Sequence, residues 1–415
     1  MHKNDILKSV MNSALKAAMP TDKFKTLPKK PKGKLLVIGA GKAAASMAKE
    51  FEESYNDPIE GIVITRYGHA TKTKFIEVVE ASHPEPDKIG LLASKKLFSL
   101  AKKADINDHV VFLISGGASS LLTLPADGIK FEEKQRINKE LLISGAPIDQ
   151  MNIVRRALSK IKGGRLAEAI RPAKLSTYMI SDIPGDDPSY IGSGPTIQAS
   201  GSNNDAFKIL NDYKIDISKN LKEIIIKNQL PKILNSPTYM LANPMMALKS
   251  AYNEAEKLGF KPVIISDSLE GEAKLEGKKM AELAIKIKKE KKFENIPLKQ
   301  PILLLSGGET TVTVKGNGKG GRNTEFILSM AIHLKEVNGI TALSIDTDGI
   351  DGVEDNAGAF ISDVTLRKAK SQNLIPQKFL DNNDSYSFFQ KIDDLIFTNP
   401  TLTNVNDFRA VLIEP

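Results

Sequence analysis

The sequence predicts an α/β protein with two domains, and two observations carry this prediction. The chain has 415 residues, which is too long for one ordinary hydrophobic core. Its first half alternates short apolar runs with segments of helical character. These runs are nearly continuous, as strands buried on both faces of a parallel sheet are. The pattern indicates a layered domain whose strands are joined by crossover helices.

Seven apolar runs are predicted to form strands in the first 270 residues. They lie at 34–39, 61–65, 75–80, 110–115, 175–181, 238–242 and 261–266. An amphipathic helix is predicted ahead of them, and we expect it to dock on one of the domains. Its apolar face consists of Ile6, Leu7, Val10, Met11, Ala14, Leu15 and Ala18. The segment lacks the continuous apolar centre of a signal peptide.

The last third of the chain predicts a second, smaller α/β domain with a mixed sheet. A Lys-rich stretch at 288–301 is followed by the apolar runs ILLLS, ETTVTV, GITALSI, AGAFIS and DLIFT, with helical segments between them, and the boundary falls between 240 and 300. We place the domains at residues 1–270 and 271–415.

Composition excludes several classes of site. The chain has no cysteine, so it has no disulfide, no thiolate nucleophile and no iron–sulfur cluster. The five histidines are scattered, and any metal is expected to be magnesium held by oxygen ligands. The net charge of +8 is mostly lysine on helical stretches, typical of a solvated surface. No aromatic residues are interleaved with the basic residues, so we expect no nucleic-acid partner. No apolar run could cross a bilayer, so we expect no membrane partner and a cytoplasmic location.

The first motif is GAGKA, directly after the first strand. Gly39 and Gly41 let the backbone turn sharply and approach a ligand, and the following helix points free N–H groups at an anion. Lys42 in the first turn opposes the helix dipole, and a bound phosphate or carboxylate would explain it. The motif also matches a dinucleotide fingerprint through Ala44. The next strand ends in Arg66 rather than an acidic residue, which disfavours NAD and leaves NADP open.

A second motif occurs twice, each time after an apolar run. LISGGASS ends one strand, and LSGGETT ends another almost two hundred residues later. Paired glycines can form an anion-binding nest of N–H groups, and open α/β sheets bind ligands at the carboxyl ends of their strands. The predicted ligand contacts are Ser115, Gly116, Gly117 and Ser119 in the first copy and Glu309 in the second.

A glycine-rich basic loop, VKGNGKGGRN, leads into an apolar helix. This composition predicts a mobile phosphate clamp, with Arg322 offering a fork of donors to phosphoryl oxygens. The predicted contacts in the loop are Gly318, Lys319, Gly320, Gly321 and Asn323.

Two acidic clusters follow apolar runs, SDIPGDDPS and SIDTDGIDG. Carboxylates in such positions can hold magnesium or accept a proton from a hydroxyl. The alternative is that both are ordinary Asp-Gly turns in solvent. We assign Asp182, Asp346 and Asp351 as candidate metal ligands and Asp186 as a candidate base.

Loops suited to binding phosphate, together with cations and carboxylates, are the groups that an enzyme needs to transfer a phosphoryl group to a small molecule. Two other functions use some of the same parts. An NADPH-dependent hydroxypyruvate reductase would use the GAGKA fingerprint but has no clear use for the basic loop. A non-catalytic protein that binds sugar acids or nucleotides would not need the carboxylates.

The chain also resembles the class II glycerate 2-kinases. The motifs GAGKA, SHPEPD, LISGGASSLL, VRRALSKIKGGRLA, SDIPGDDPSYIGSGPT, SGGETTVTVKGNGKGGRNTE, DTDGIDG and TNVNDFRAVLI carry this resemblance in order along nearly the whole chain. The last hundred residues resemble the family's MOFRL segment.

This resemblance implies phosphorylation of D-glycerate at the 2-hydroxyl, with ATP and Mg²⁺, to give 2-phosphoglycerate. It implies a Rossmann-like larger domain with an α/β/α arrangement, a smaller α/β domain and an active site in the cleft between them. The family's catalytic lysine and arginine fall on Lys42 and Arg322. We expect a monomer or a homodimer.

Overall fold

The computed structural model describes residues 3–233, 235–335 and 337–415. Contacts divide the chain into two compact units. The first unit comprises residues 20–182 and 186–241, and the second comprises the N-terminal segment through residue 19, residues 183–185 and residues 242–415. This division differs from the expected one at 270/271. The strand at 261–266 hydrogen-bonds to residues 302–306, so it belongs to the sheet of the second unit.

The first unit is built on a six-stranded sheet. Its strands are β1 (Leu35–Ala40), β2 (Ile59–Arg66), β3 (Ile76–Ala81), β4 (His109–Ile114), β5 (Lys174–Ile180) and β6 (Thr238–Ala242). Its helices are α2 (Ala44–Ser54), α3 (Lys88–Lys102), α4 (Ala118–Leu121), α5 (Phe131–Ile143), α6 (Ile148–Ala157), α7 (Arg165–Ile170), α8 (Asn203–Asp212) and α9 (Lys219–Lys227). Short 3₁₀ turns lie at Pro184–Asp186 and Ile191–Ser193.

The strand order of this sheet is β3-β2-β1-β4-β5-β6, and the pairs from β3 to β5 are parallel. The predicted parallel sheet is therefore confirmed. From β1 the chain goes outward to β2 and β3, and it then returns to add β4 and β5 on the other side. Ligands of open α/β sheets bind at such a switch point, outside the carboxyl ends of the strands. The loops after β1 and β4 lie there.

A helical layer of the first unit has its own apolar cluster. Helices α5, α6, α8 and α9 contribute Ile137, Leu141, Val154, Leu210 and Ile225, all buried. The basic segment from residue 155 to 165 connects this layer to the sheet.

The second unit contains a six-stranded mixed sheet with the order β15-β14-β13-β16-β11-β7. The strands of this unit are β7 (Lys261–Ser266), β8 (Gly271–Glu272), β9 (Lys292–Phe293), β10 (Ile296–Pro297), β11 (Ile302–Ser306), β12 (Thr310–Thr311), β13 (Ile340–Asp346), β14 (Gly358–Ile361), β15 (Leu395–Ile396) and β16 (Asp407–Ile413). Its helices are α1 (Lys3–Ala18), α10 (Pro244–Lys257), α11 (Ala273–Glu290), α12 (Arg322–Leu334), α13 (Thr365–Ser371), α14 (Pro376–Asp381) and α15 (Ser385–Ile392). Only β7 and β11 pair in parallel in the sheet as described, which confirms the predicted mixed sheet.

One central strand, β16, is absent from the sequence-based prediction. It lies between β13 and β11, and all seven of its residues are buried. Asp407 and Arg409 interrupt its apolar pattern, so the run DFRAVLI does not look like a core strand. Both side chains are buried because they pair with each other and with polar neighbours.

The predicted N-terminal helix is confirmed as α1, and its seven apolar residues are the buried ones. It packs on α10. The Ser9 hydroxyl donates to a Glu254 carboxylate oxygen at 2.8 Å, and the hydroxyls of Ser13 and Ser250 lie 2.9 Å apart. None of the helices in the described parts of the chain combines the length and apolar character needed to cross a membrane.

Candidate functional site

The loops after β1 and β4 are joined by hydrogen bonds at the switch point of the first sheet. The Lys42 N–H donates to the Gly116 carbonyl at 2.8 Å, and the Ala43 N–H donates to the Ser115 hydroxyl at 3.0 Å. The predicted residues of GAGKA and LISGGASS are therefore brought together. The Ser115 hydroxyl satisfies a donor at the start of α2, so we assign it to supporting this loop rather than to contacting a ligand.

Glycine is required in these loops because they approach each other closely. A Cβ at Gly41, whose φ is +135°, would lie 2.1 Å from the Ser115 hydroxyl oxygen. A Cβ at Gly39 would lie 2.5 Å from the Leu113 carbonyl oxygen. The glycines of the apparent dinucleotide fingerprint thus make room for the neighbouring loop of the protein itself.

Lys42 lies beside the second half of the LISGGASS loop. Its Cγ is 3.2 Å from where a Cβ on Gly117 would be, and the His83 ring is 3.0 Å from the same point. The Lys42 carbonyl accepts a hydrogen bond from the Thr65 hydroxyl at 3.2 Å. The backbone of Lys42 is therefore fixed at both its N–H and its carbonyl.

Asp182 follows β5, the next strand along the sheet edge. A Cβ on Gly116 would lie 1.7 Å from the Asp182 Oδ2, so the carboxylate is packed directly on the Gly116 backbone. Asp182 thus lies with Lys42 and Gly117 at the carboxyl ends of the three adjacent strands β1, β4 and β5. Asp186, the candidate base, begins the next segment of the first unit and has a positive φ of 54°.

Arg322 is the centre of the predicted site in the second unit. Its guanidinium contacts three carboxylates: Nε reaches Asp407 Oδ1 at 2.8 Å, and Nη2 reaches Asp346 Oδ2 at 2.6 Å. Nη1 reaches Glu309 Oε1 at 2.7 Å. Burial disfavours the charge, but Asp407, Asp346 and Glu309 outweigh it and hold the pKa of Arg322 well above its ordinary value.

These three carboxylates differ in exposure, and the difference bears on ligand binding. The side chains of Asp407 and Asp346 are 0% and 4% exposed, whereas that of Glu309 is 50% exposed. Asp407 and Asp346 therefore fix the guanidinium, and Glu309 is the partner that an incoming anion could displace.

Asp407 is the residue of this site that sequence analysis missed. Besides Arg322, its carboxylate accepts from the Asn323 amide at 2.7 Å and pairs with Arg409. Arg409 is fully buried, donates to the Gly307 carbonyl at 3.2 Å and lies over the Phe326 ring at 4.7 Å. A charged pair inside the run DFRAVLI was the signal available in the sequence, because such charges need buried partners.

We expect Asp407→Asn to lower the free energy of unfolding by about 3 kcal/mol, because the buried Arg409 loses its only ion-pair partner among the described residues. Urea denaturation measures this. Glu290→Gln is the matched control in the same unit, since its pair with Lys286 is exposed and 4.0 Å long, and it should change stability by less than about 1 kcal/mol. Equal effects of the two substitutions would contradict the role given to Asp407.

Asn323 and Asp351 are predicted ligand contacts that the structure uses internally. The Asp351 carboxylate accepts from the Asn323 N–H at 2.9 Å and from the N–H and hydroxyl of Thr324 at 2.8 and 2.7 Å. It thereby caps the start of α12. Asn323 is fully buried, and its amide oxygen accepts from the Ser344 hydroxyl at 2.6 Å. Because their polar groups are engaged in this way, both residues position Arg322 rather than reach a ligand.

The glycine-rich loop also differs from its predicted role as a mobile clamp. Its backbone N–H groups are hydrogen-bonded to the segment 382–384. Side chains of this segment accept from the N–H groups of Lys315, Gly316, Asn317 and Lys319, and the Asn382 carbonyl accepts from that of Gly318. Its glycines allow this close seating, since a Cβ at Gly318 or Gly320 would lie 2.3 Å from Asp384 or Ser385. At Gly321, a Cβ would lie 2.4 Å from the Asp351 carboxylate.

The side chain of Lys319 remains available to a phosphate. It is 63% exposed, and its ammonium lies 3.7 Å from a carboxylate oxygen of Glu354. From the sequence alone, glycines that allow a loop to pack closely on the protein cannot be distinguished from glycines that bind a phosphate.

A magnesium site built wholly from protein ligands is not found among the described residues, which contain no cluster of three or more acidic or histidine groups suited to a metal. Both oxygens of Asp346 accept hydrogen bonds, from Arg322 and from the Asp348 N–H at 3.0 Å. Asp346 and Asp351 thus have other partners than a metal. Asp182 is the predicted ligand that lies at the loops of the first unit.

The fold and these loops define a two-unit α/β protein with an ordered cation in each unit, Lys42 and Arg322. Family models agree with this division. The domain of unknown function DUF4147 matches residues 5–226, and the MOFRL family matches residues 302–407. The chain belongs to the class II glycerate kinase family.

Relatives of this chain carry two different names. A D-glycerate 2-kinase from Thermotoga maritima is 39% identical, with 97% of each chain covered. A protein from Agrobacterium vitis named a putative hydroxypyruvate reductase is 44% identical, covering 98% of this chain and 94% of the other. The crystal structure of a glycerate kinase from Thermotoga maritima superposes with a TM-score of 0.90 at 38% identity and covers 99% of each chain.

Proposed function

We propose that this protein transfers the γ-phosphoryl group of ATP to the 2-hydroxyl of D-glycerate. The observation that carries the proposal is the guanidinium of Arg322, held by two buried carboxylates while a third, half-exposed one occupies the position open to exchange. A fixed fork of donors suits the equatorial oxygens of a transferring phosphoryl group, which are stabilised mainly by preorganised charge. Family membership and the kinase relatives support the same reaction.

In this reaction Arg322 stabilises charge on the phosphoryl group, and Lys42 is assigned as a second catalytic cation. The acceptor lies at the loops after β1 and β4, near Gly117 and Ser119. Asp186 takes the proton from the 2-hydroxyl as the oxygen attacks phosphorus, and ADP leaves. Glu309 gives up its contact with Arg322 when the nucleotide phosphates arrive. The glycines from 318 to 321 keep the basic loop in place, and Lys319 adds a contact to phosphate oxygens.

The chemistry of the site fits a magnesium ion that arrives with the nucleotide. Carboxylates outnumber guanidiniums around Arg322, so phosphates would enter a site with an excess of negative charge unless a cation came with them. Magnesium is commonly bound through one or two carboxylates together with substrate phosphates. We assign Asp182 as the carboxylate that holds it, and the ion would neutralise charge on the phosphates.

An end-point assay decides between the kinase and the reductase. D-Glycerate, ATP and Mg²⁺ are incubated with the protein, and the products are identified by phosphorus NMR; a parallel sample receives hydroxypyruvate and NADPH. We expect 2-phosphoglycerate and no consumption of NADPH. Formation of 3-phosphoglycerate would correct the position of transfer, and consumption of NADPH alone would overturn the proposal.

The alternative function, NADPH-dependent reduction of hydroxypyruvate, has less structural support. The glycine pattern that suggested a dinucleotide site is explained by contact between two loops of the protein, since Gly41 leaves space for Ser115. The first donors of α2 are also partly used, because the Ala43 N–H is bound to the Ser115 hydroxyl.

A further inference from the structure

Five basic side chains, four of them buried and Arg155 half-buried, lie in the helical layer of the first unit and in the segment that joins it to the sheet. They are Lys134, Arg155, Arg156, Lys162 and Arg165. Lys134 and Lys162 are 2% and 0% exposed. None of the five has a carboxylate within ion-pair distance in the described parts of the chain. Burying a charge without an opposite charge is costly, so this group requires an explanation.

Two members of the group have a structural explanation. Arg156 donates to the Ser200 and Ser189 carbonyls at 3.0 and 2.8 Å. Arg165 donates to the Arg156 and Lys162 carbonyls, each at 2.9 Å, and also to the Asn228 carbonyl. These guanidiniums tie loops of the first unit together through several backbone acceptors.

The other three have one neutral partner each. The Lys134 ammonium donates to the Thr123 hydroxyl at 3.0 Å, and the Lys162 ammonium donates to the Gly192 carbonyl at 3.1 Å. Arg155 has a single long contact, 3.5 Å from Nη1 to the Asn152 amide oxygen. An ammonium has three donors and a guanidinium five, so most of their donors are not used within the protein.

These three side chains act on one another electrostatically. Burial and, to a smaller extent, the charge of Arg155 lower the pKa of Lys134 to about 7. Burial also lowers the pKa of Lys162 well below its ordinary value, with contributions from Lys134 and Arg155. An anion among them would remove this mutual repulsion and restore the charged forms of the lysines.

A chain of hydrogen bonds connects Arg155 to the loop after β4. The Ser119 and Ser193 hydroxyls lie 3.1 Å apart, and the Ser193 hydroxyl donates to the Asn152 amide oxygen at 2.9 Å. That same oxygen is the one contacted by Arg155. Ser119 belongs to the LISGGASS motif to which the acceptor is assigned, so Arg155 is linked to the position of the acceptor, and Lys162 contacts Gly192, the residue next to Ser193.

We propose that Lys134, Arg155 and Lys162 bind the carboxylate of the acceptor, a small hydroxy acid. This inference rests on the proposed function. A carboxylate is small and carries a single charge, so it suits donors of which two are almost completely buried. Arg155 is the half-buried member, and its planar fork can hold both carboxylate oxygens.

Substitution of Arg155 tests this site. We expect Arg155→Gln to raise KM for D-glycerate at least about tenfold, as loss of a hydrogen bond between charged groups does, while KM for ATP changes less than twofold. Arg136→Gln is the matched control, since Arg136 is exposed and paired with Glu140 in α5. D-Glyceramide, which has no carboxylate, should be used equally well by the wild type and by Arg155→Gln. Arg155→Lys, which keeps the charge, should recover part of the loss.

Calorimetric titration with D-glycerate in the absence of ATP separates this proposal from the kinase assignment. Weaker binding to Arg155→Gln than to Arg136→Gln would support the carboxylate site even if the wild type had no kinase activity. At pH 8, binding should be accompanied by proton uptake, because an anion raises the pKa of Lys134, and Lys134→Met should reduce that uptake.

The remaining outcomes would overturn the assignment. A rise confined to KM for ATP would mean that the cations bind a nucleotide phosphate. Unchanged kinetics and unchanged binding in a folded Arg155→Gln variant would mean that the cations bind no substrate. Absence of glycerate binding to the wild type would overturn this proposal and the proposed function together.

Discussion

Arg322→Ala is expected to lower kcat/KM for D-glycerate by about 10³-fold or more, the range that a transition-state arginine contributes in phosphoryl transfer. The loss should fall mainly on kcat, because the charge on the phosphoryl oxygens that Arg322 stabilises is greatest in the transition state. Steady-state assays with D-glycerate, ATP and Mg²⁺ measure it. The fold should persist, since Asp407 keeps its contacts with Arg409 and Asn323.

Two further variants make this prediction specific. Arg322→Lys keeps a positive charge but cannot span Asp407, Asp346 and Glu309 together, so it should recover only a small part of the activity. Lys319→Ala removes a cation that is 63% exposed in the preceding loop, and it should lower kcat no more than a few fold. Near-normal turnover in a folded Arg322→Ala variant would remove Arg322 from the mechanism. Circular dichroism and thermal melting show whether each variant is folded.

The first sheet could be predicted from the sequence because its strands are nearly unbroken apolar runs. Their order then places the loops after β1 and β4 side by side at the switch point, which is how Lys42 and Gly116 come together. The sequence predicted Lys42 in the first turn of the helix after β1, but α2 begins at Ala44 with Ala43 as its N-cap, so Lys42 lies in the turn between β1 and α2.

The parts that were not predicted share a physical cause, which is that polar groups are satisfied by partners distant in sequence. Strand β16 was missed because Asp407 and Arg409 pair inside the sheet. The glycine-rich loop was predicted to be mobile because its N–H acceptors lie about 65 residues later, at 382–384. Charge in a sequence usually indicates a surface, so the burial of Lys134 and Lys162 gave no local signal.

Lys42→Met is the second prediction with a large effect. We expect kcat to fall at least about 10²-fold, as when one preorganised donor to a developing charge is removed. Methionine has a similar length and no charge, and the backbone at residue 42 stays bound to Gly116 and to the Thr65 hydroxyl. Stability should therefore change little. Lys49→Met is the matched control, because Lys49 lies on α2, the helix that follows the turn holding Lys42, with its side chain 51% exposed.

The double variant Lys42→Met, Arg322→Ala tests whether the two cations act on one phosphoryl group. Residues that stabilise the same transition-state charge have strongly non-additive effects. We therefore expect the double variant to lose much less activity than the product of the two single losses. Losses that multiply would mean that Lys42 and Arg322 act in separate steps, for example acceptor binding for Lys42 and transfer for Arg322. Normal turnover in Lys42→Met would exclude Lys42 from the reaction, and the close packing of GAGKA against LISGGASS would then have a purely structural role.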